Sequence, residues 1–153
     1  TDSTFCPQMP LSRGQLVTVL YRMEGSPEIT GSSGFQDVAP NQYYTQAVAW
    51  AKENGMVNGV TDTLFRPADS ITREQFAAIL YRYANWKEQD VTAQADLTSF
   101  ADAAGVSAYA QIPMAWAVAE GLLRGDDTGN LRLHEPVTRQ DVVVLLHRMK
   151  DLA

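Results

Sequence analysis

At 153 residues, with 45% hydrophobic and 20% charged side chains, the chain can bury a core and is too apolar to be a disordered polymer. Its net charge of −6 argues against general affinity for a nucleic-acid backbone, and no apolar run reaches the ~20 residues of a membrane helix. Cys6 is the only cysteine, which excludes an internal disulfide and a cysteine metal cluster.

Five helices are predicted in chain order. Ser12 opens the first as an N-cap, Gln15 completes a capping box, and Leu16, Val19, Leu20 and Met23 form an apolar stripe. A flexible stretch from Gly25 to Gly34 follows. Phe35-Gln36-Asp37-Val38 then leads into a helix over roughly Tyr43 to Asn54, stopped by Gly55, with Tyr43, Ala47, Trp50 and Ala51 on one face. Gly59 to Pro67 is rich in turn residues, with a short extended piece expected at Phe65-Arg66. The third helix is capped by Thr72 and Gln75 and carries Phe76, Ile79, Leu80 and Tyr83. A longer polar linker, Asn85 to Ser99, precedes Phe100-Ala101-Asp102-Ala103. The fourth helix has Pro113 in its first turn, bears Trp116 and ends at Gly121. After a second turn-rich stretch, Gly125 to Leu133, the fifth helix starts at Thr138 with Asp141 three residues on. It carries Val142, Leu145, Leu146 and Met149.

These elements repeat. Phe5 and Phe65, and Arg13 and Arg73, are 60 positions apart, while Arg73 and Arg139 are 66 apart. Phe35 pairs with Phe100 and Tyr44 with Tyr109 at 65, and Trp50 with Trp116, Gly55 with Gly121 and Gly59 with Gly125 at 66. Self-similarity at such a period marks supersecondary units that bury their apolar faces only together. Each unit reads as helix, loop, helix, which makes the chain mainly all-α. The sequence holds a back half-unit (1–24), a full unit (35–84) and another full unit (100–150), expected to form one compact domain. The front half of the first unit is absent, so it is expected either to have been removed or to come from another polypeptide.

Phe-x-Asp-Val, a tryptophan-bearing helix, Gly-Met-Val-Asn-Gly, Thr-Leu-Phe-Arg-Pro and Ile-Thr-Arg-Glu-Gln, in that order from Phe35 to Ala84, resemble an S-layer homology repeat. Phe100 to Met149 is a looser copy, with Leu131 and Leu133 in place of the phenylalanine and proline. Thr1 to Met23 matches the back half only. The resemblance implies a pseudo-threefold helical bundle with grooves between adjacent repeats. It also implies binding of a pyruvylated secondary cell-wall polysaccharide, which would tether a bacterial surface protein in the extracellular cell wall or S-layer without a covalent bond. The family's Thr-Arg-Ala-Glu signature becomes Ser12-Arg13-Gly14-Gln15, Thr72-Arg73-Glu74-Gln75 and Thr138-Arg139-Gln140-Asp141. The arginine stands in all three, and the final glutamate in none.

A pyruvate ketal carries a carboxylate, which suits the planar guanidinium fork. Arg13, Arg73 and Arg139 each follow an N-cap, where free backbone amides and the helix dipole would add to anion binding. The plainer alternative is that these arginines form salt bridges between repeats or lie in solvent. Asp37 and Asp102 are candidate acceptors for sugar hydroxyls, or caps of the helices that follow. Trp50 and Trp116 are candidate stacking platforms, or core residues. Gly59 and Gly125 would admit a ligand to the backbone, or serve a turn. If each groove joins the arginine of one repeat to the front half of the next, Arg13 groups with Asp37 and Trp50, and Arg73 with Asp102 and Trp116. Arg139 would lack a partner half-unit. Asp126, Asp127 and Asn130 do not have EF-hand spacing, and no metal or cofactor is expected. No catalytic constellation is evident, so the expected role is anchoring rather than catalysis. The alternative is a protein-interaction or self-assembly module completed by a partner chain.

Overall fold

The computed structural model describes residues 6–150. Phe5, the sequence counterpart of Phe65, lies outside the described residues. The fold is helical: α1 (Arg13–Met23), α2 (Thr45–Glu53), α3 (Arg73–Trp86), α4 (Gln111–Ala119) and α5 (Arg139–Lys150). Two 3-10 turns, Ala103–Gly105 and Ala108–Ala110, lead into α4. Among the described residues there are isolated β-bridges but no strand.

Capping explains where the helices begin. Ser12 and Thr72 each accept a hydrogen bond from the amide three residues on, and Gln15 and Gln75 reach back to the cap amide. Asp141 does the same for Thr138, a carboxylate standing where the other two have an amide. Each such cap stabilises its helix by about 1 kcal/mol.

The predicted stripes of α3 and α5 are buried in full. On α1, Leu16 and Leu20 are buried, but Val19 is half-buried and Met23 exposed. Gly14, Val17 and Thr18 are buried instead. The reason is packing: α1 lies along α2, so its buried face is rotated from the one its stripe suggests.

The chain divides into two compact units. One is Leu11–Ser70, and the other combines the segment ahead of Leu11 with everything from Ile71 onward. In the first, α1 packs on α2, with Tyr21 tilted against Trp50 at 5.7 Å. In the second, α3 packs on α4, with Tyr81 edge-on to Trp116 at 5.6 Å. The partner of α1, and likewise of α3, is thus the tryptophan helix of the following repeat.

The extended piece expected at Phe65-Arg66 is broken by a turn, as is the corresponding Leu131-Arg132. Arg66 and Arg132 adopt left-handed backbone conformations, with φ of 57° and 61°. The chain turns there because both flanking amides are held by an aspartate, as described next.

Candidate functional site

The same device holds both turns. Phe65 N–H donates to Asp37 Oδ1 (2.9 Å) and Arg66 N–H to Oδ2 (2.7 Å). Leu131 N–H donates to Asp102 Oδ1 (2.7 Å) and Arg132 N–H to Oδ2 (2.9 Å). The carbonyl of the same residue then accepts from an arginine: Phe65 O from Arg13 Nε at 2.8 Å, and Leu131 O from Arg73 Nε at 2.9 Å. Aspartate, peptide and arginine form a polarised line, in which each hydrogen bond strengthens its neighbour. Asp37 and Asp102 therefore clamp loop backbone. Neither α2 nor α4 has a side-chain cap, which corrects the capping alternative for these aspartates.

The amides of the arginine helices are not free for an anion, contrary to the sequence-based expectation. Arg13 N and Gly14 N donate to Asp69 O and Pro67 O, Arg73 N and Glu74 N to Glu135 O and Leu133 O, and Arg139 N and Gln140 N to Met9 O and Pro7 O. The third amide of each helix goes to its cap hydroxyl or sits with it. The helix ends are thereby stitched to turns, and any anion would have to be met by side chains.

The structure does bring Arg13 beside the Asp37 turn and its helix against the Trp50 helix, and likewise Arg73, Asp102 and Trp116. The surfaces differ from those expected. Trp50 is 2% exposed and Trp116 0%, so neither offers a face to a sugar. A Cβ on Gly59 would lie 2.6 Å from Phe35 Cε1, and one on Gly125 2.4 Å from Phe100 Cε1. The space over both glycines is filled by the protein's own phenylalanine, which explains why Phe-x-Asp and Gly recur together. Arg13 is 6% exposed, with its guanidinium 4.8 Å from the centre of the Phe65 ring. Arg139 is half-buried.

Arg73 borders open space. A groove of about 230 Å³ is lined by Arg73, Leu122, Leu123, Arg124, Gln140, Asp141, Val144, Leu145 and Arg148. Arg73 Nη2 donates to Arg124 O at 2.8 Å, and Arg148 Nη1 to Gly121 O at 2.9 Å. These bonds hold the two guanidinium groups on the loop after α4. Burial pushes Arg73 below its ordinary pKa and Asp141 pulls it back, and an arginine so placed stays charged. Three arginines, one carboxylate and one amide beside the exposed Val144 suit an anionic, partly apolar ligand such as a charged sugar.

The sequence reading missed Arg124 and Arg148. Arg148 has counterparts at Arg82 and Arg22, a recurrence as regular as that of Arg13, Arg73 and Arg139. Arg124 has Asn58 in its place and gives no such signal. Also missed was Glu74, 4% exposed. Its carboxylate accepts from Ser107 N (3.0 Å), Ser107 Oγ (2.7 Å) and Tyr109 OH (3.4 Å), with His134 Nδ1 at 3.5 Å. Those donors offset the desolvation of a buried charge. The sign in the sequence is a glutamate where the other units have Gly14 and Gln140. Among the described residues, no cluster of three or more His, Cys, Asp or Glu side chains is arranged to hold a metal, and no helix is long and apolar enough to cross a membrane.

Residues 34–77 and 99–143, together more than half of the chain, match the S-layer homology domain. The chain is 32% identical to a surface-layer 125 kDa protein of Lysinibacillus sphaericus over 96% of its own length and 12% of that protein. It is 26% identical to an amylopullulanase of Thermoanaerobacterium thermosulfurigenes, over 99% of its own length and 8% of the enzyme. A cellulosome-anchoring protein of Acetivibrio thermocellus is 24% identical over 94% of the chain and 33% of that protein. The chain therefore spans a small part of each of these relatives.

Proposed function

Because the chain belongs to the S-layer homology domain family, and so is a cell-surface anchoring module of the extracellular cell wall, we propose that its ligand is an anionic secondary wall polysaccharide recognised through a pyruvate ketal. The observation that carries this reading is the convergence of Arg73, Arg124 and Arg148 on one groove in a chain of net charge −6. A local cationic cluster against an opposing overall charge favours a specific anion over general anion affinity. The ketal carboxylate pairs with guanidinium donors, its methyl group sits against the exposed Val144, and Gln140 and Asp141 take sugar hydroxyls.

In this reading the residues first picked out divide by role. Arg73 contacts the ligand. Arg13, Asp37 and Asp102 set the turns, while Trp50, Trp116, Gly59 and Gly125 support them from the core. Arg139, half-buried, begins the third arginine helix. The catalytic relative suggests that any hydrolytic activity of the parent protein lies in other domains, with this module holding them at the wall.

The test is binding to purified cell walls with and without removal of the pyruvyl groups. Wild-type protein should bind the untreated walls and lose binding to the treated ones. Arg148→Ala should weaken binding roughly ten- to a hundredfold, the equivalent of ~1.5–3 kcal/mol for a charge-assisted bond. Equal binding to both wall preparations would overturn the ketal, and unchanged affinity of Arg148→Ala would overturn the groove.

A further inference from the structure

The chain carries an Asn-Gly pair at each of two points just after α2, and the fold treats them differently. Asn54-Gly55 closes the helix. Asn54 Nδ2 donates to Trp50 O at 2.9 Å, and Gly55 N–H donates to Lys52 O at 3.1 Å. Both groups that could react with one another are therefore engaged, and Asn54 is half-buried. Asn58-Gly59 follows outside any helix, and Asn58 is exposed. Among the described residues, neither the Asn58 side chain nor the Gly59 N–H takes part in a hydrogen bond.

The glycine of the second pair is fixed by packing. Gly59 has φ of +81°, and a Cβ there would lie 2.5 Å from Thr61 O and 2.6 Å from Phe35 Cε1. A residue whose side chain would shield the amide does not fit. Ahead of the matching Gly125 stands Arg124, which has no carboxamide. Only around Gly59 does the repeat combine a carboxamide, an unhindered amide after it and access to solvent.

We propose that Asn58 is a site of spontaneous modification, deamidating through a succinimide formed with the Gly59 amide nitrogen. That nitrogen gives its proton to solvent and attacks Asn58 Cγ. The new N–Cγ bond closes the ring, the Cγ–Nδ2 bond breaks, and Nδ2 leaves as ammonia with a proton from water. Water then opens the ring at either carbonyl, which leaves aspartate or isoaspartate at position 58. Neither an oxidant nor an enzyme is required. Either product adds a negative charge to a chain of net −6. Isoaspartate also lengthens the backbone by a methylene directly ahead of Gly59. The backbone has no slack there, since Gly59 is wedged between Phe35 and the carbonyls of Thr61 and Leu64. The modification therefore loosens the loop that Asp37 clamps at Phe65 and Arg66, and stability falls with age. This site does not depend on the ligand assigned above.

The experiment ages the 153-residue protein in mildly alkaline buffer, once folded and once in concentrated urea. Both asparagines are followed by peptide mapping with mass spectrometry and isoaspartate detection. In urea the two pairs should deamidate at similar rates, since the fold then protects neither. In the folded protein Asn58 should react roughly tenfold or more faster than Asn54, the protection expected from hydrogen bonds at both reacting groups. Protein aged until most of position 58 has reacted should melt several degrees below fresh protein. Asn58→Gln aged alike should keep its Tm, because glutamine forms the corresponding larger ring far more slowly. Equal rates at the two sites in the folded protein, or faster loss of Asn54, overturn the proposal. An aged protein that carries isoaspartate at position 58 and melts like fresh protein overturns the link to the turn.

Discussion

Arg13 and Arg73 occupy the same point in the same hydrogen-bonded device, yet one is sealed and the other borders a groove. Both follow an N-cap, both have their helix amides tied to a turn, and both donate from Nε to the carbonyl of a residue whose amide is held by aspartate. The difference lies in what surrounds the guanidinium. Arg13 lies over the Phe65 ring, a contact worth about 1–2 kcal/mol when desolvated. Leu131 replaces that ring beside Arg73, which instead reaches Arg124 O on the loop after α4. One aromatic-to-aliphatic exchange thus accompanies the change from a sealed arginine to one that borders a groove. A motif that recurs three times does not imply three equal sites.

The largest effect should come from the packing beneath the turn. Gly59→Ala must adopt φ +81° with its Cβ 2.7 Å from Leu64 O and 2.6 Å from Phe35. Thermal melts should show a loss of about 4 kcal/mol. Gly125→Ala meets the Phe100 ring without a positive φ and should lose less. If the two alanine variants are equally mild, the phenylalanine does not support the turn.

Asp37→Ala and Asp102→Ala should come next, at about 3 kcal/mol each, for two charge-assisted bonds to backbone amides. Denaturant titrations should give values that agree within about 1 kcal/mol, because the two clamps have the same geometry. A large inequality would break the claim that the turns are equivalent.

Phe65→Leu makes the Arg13 site resemble the Arg73 site. It should cost about 1–2 kcal/mol from lost packing and cation–π contact, measured by calorimetric melting. No loss would mean that the ring does not distinguish the two arginines.

The smallest effect is in acid. The Asn130 amide and the Thr128 hydroxyl hold Asp126 below the usual carboxylate range. A depressed folded pKa contributes stability above the unfolded value and loses it as pH falls through the folded one. NMR titration should therefore place Asp126 below an ordinary aspartate, and Asp126→Asn should flatten the fall in stability below about pH 4. The corresponding position in the other repeat is Val60, so no matching effect arises there.

Much of the fold was legible because its signals are local. Caps at Ser12, Thr72 and Thr138 and the stripes of α3 and α5 lie within one or two turns of sequence, and the repeat period paired them. The site was less legible because its bonds are long-range. Asp37 meets amides nearly thirty residues away, and its clamp forces Arg66 into a left-handed turn that the sequence suggests should be extended. The anion-binding role expected for the helix amides failed for the same reason, since Asp69 O and Pro67 O already occupy them. Arg148 was readable from its recurrence with Arg82 and Arg22. Arg124 was not, because it joins the groove only through the course of the loop after α4.

The most direct test is to make Arg13→Ala and Arg73→Ala separately and to measure, for each, both unfolding free energy and affinity for a pyruvylated wall oligosaccharide. Arg13→Ala should lose about 3 kcal/mol of stability, and the folded fraction should bind with nearly full affinity. Arg73→Ala should lose about 1 kcal/mol of stability and bind roughly ten- to a hundredfold more weakly. Equal losses of affinity with equal stabilities, or an Arg73→Ala protein that binds as tightly as wild type, would contradict the division of roles between the two arginines.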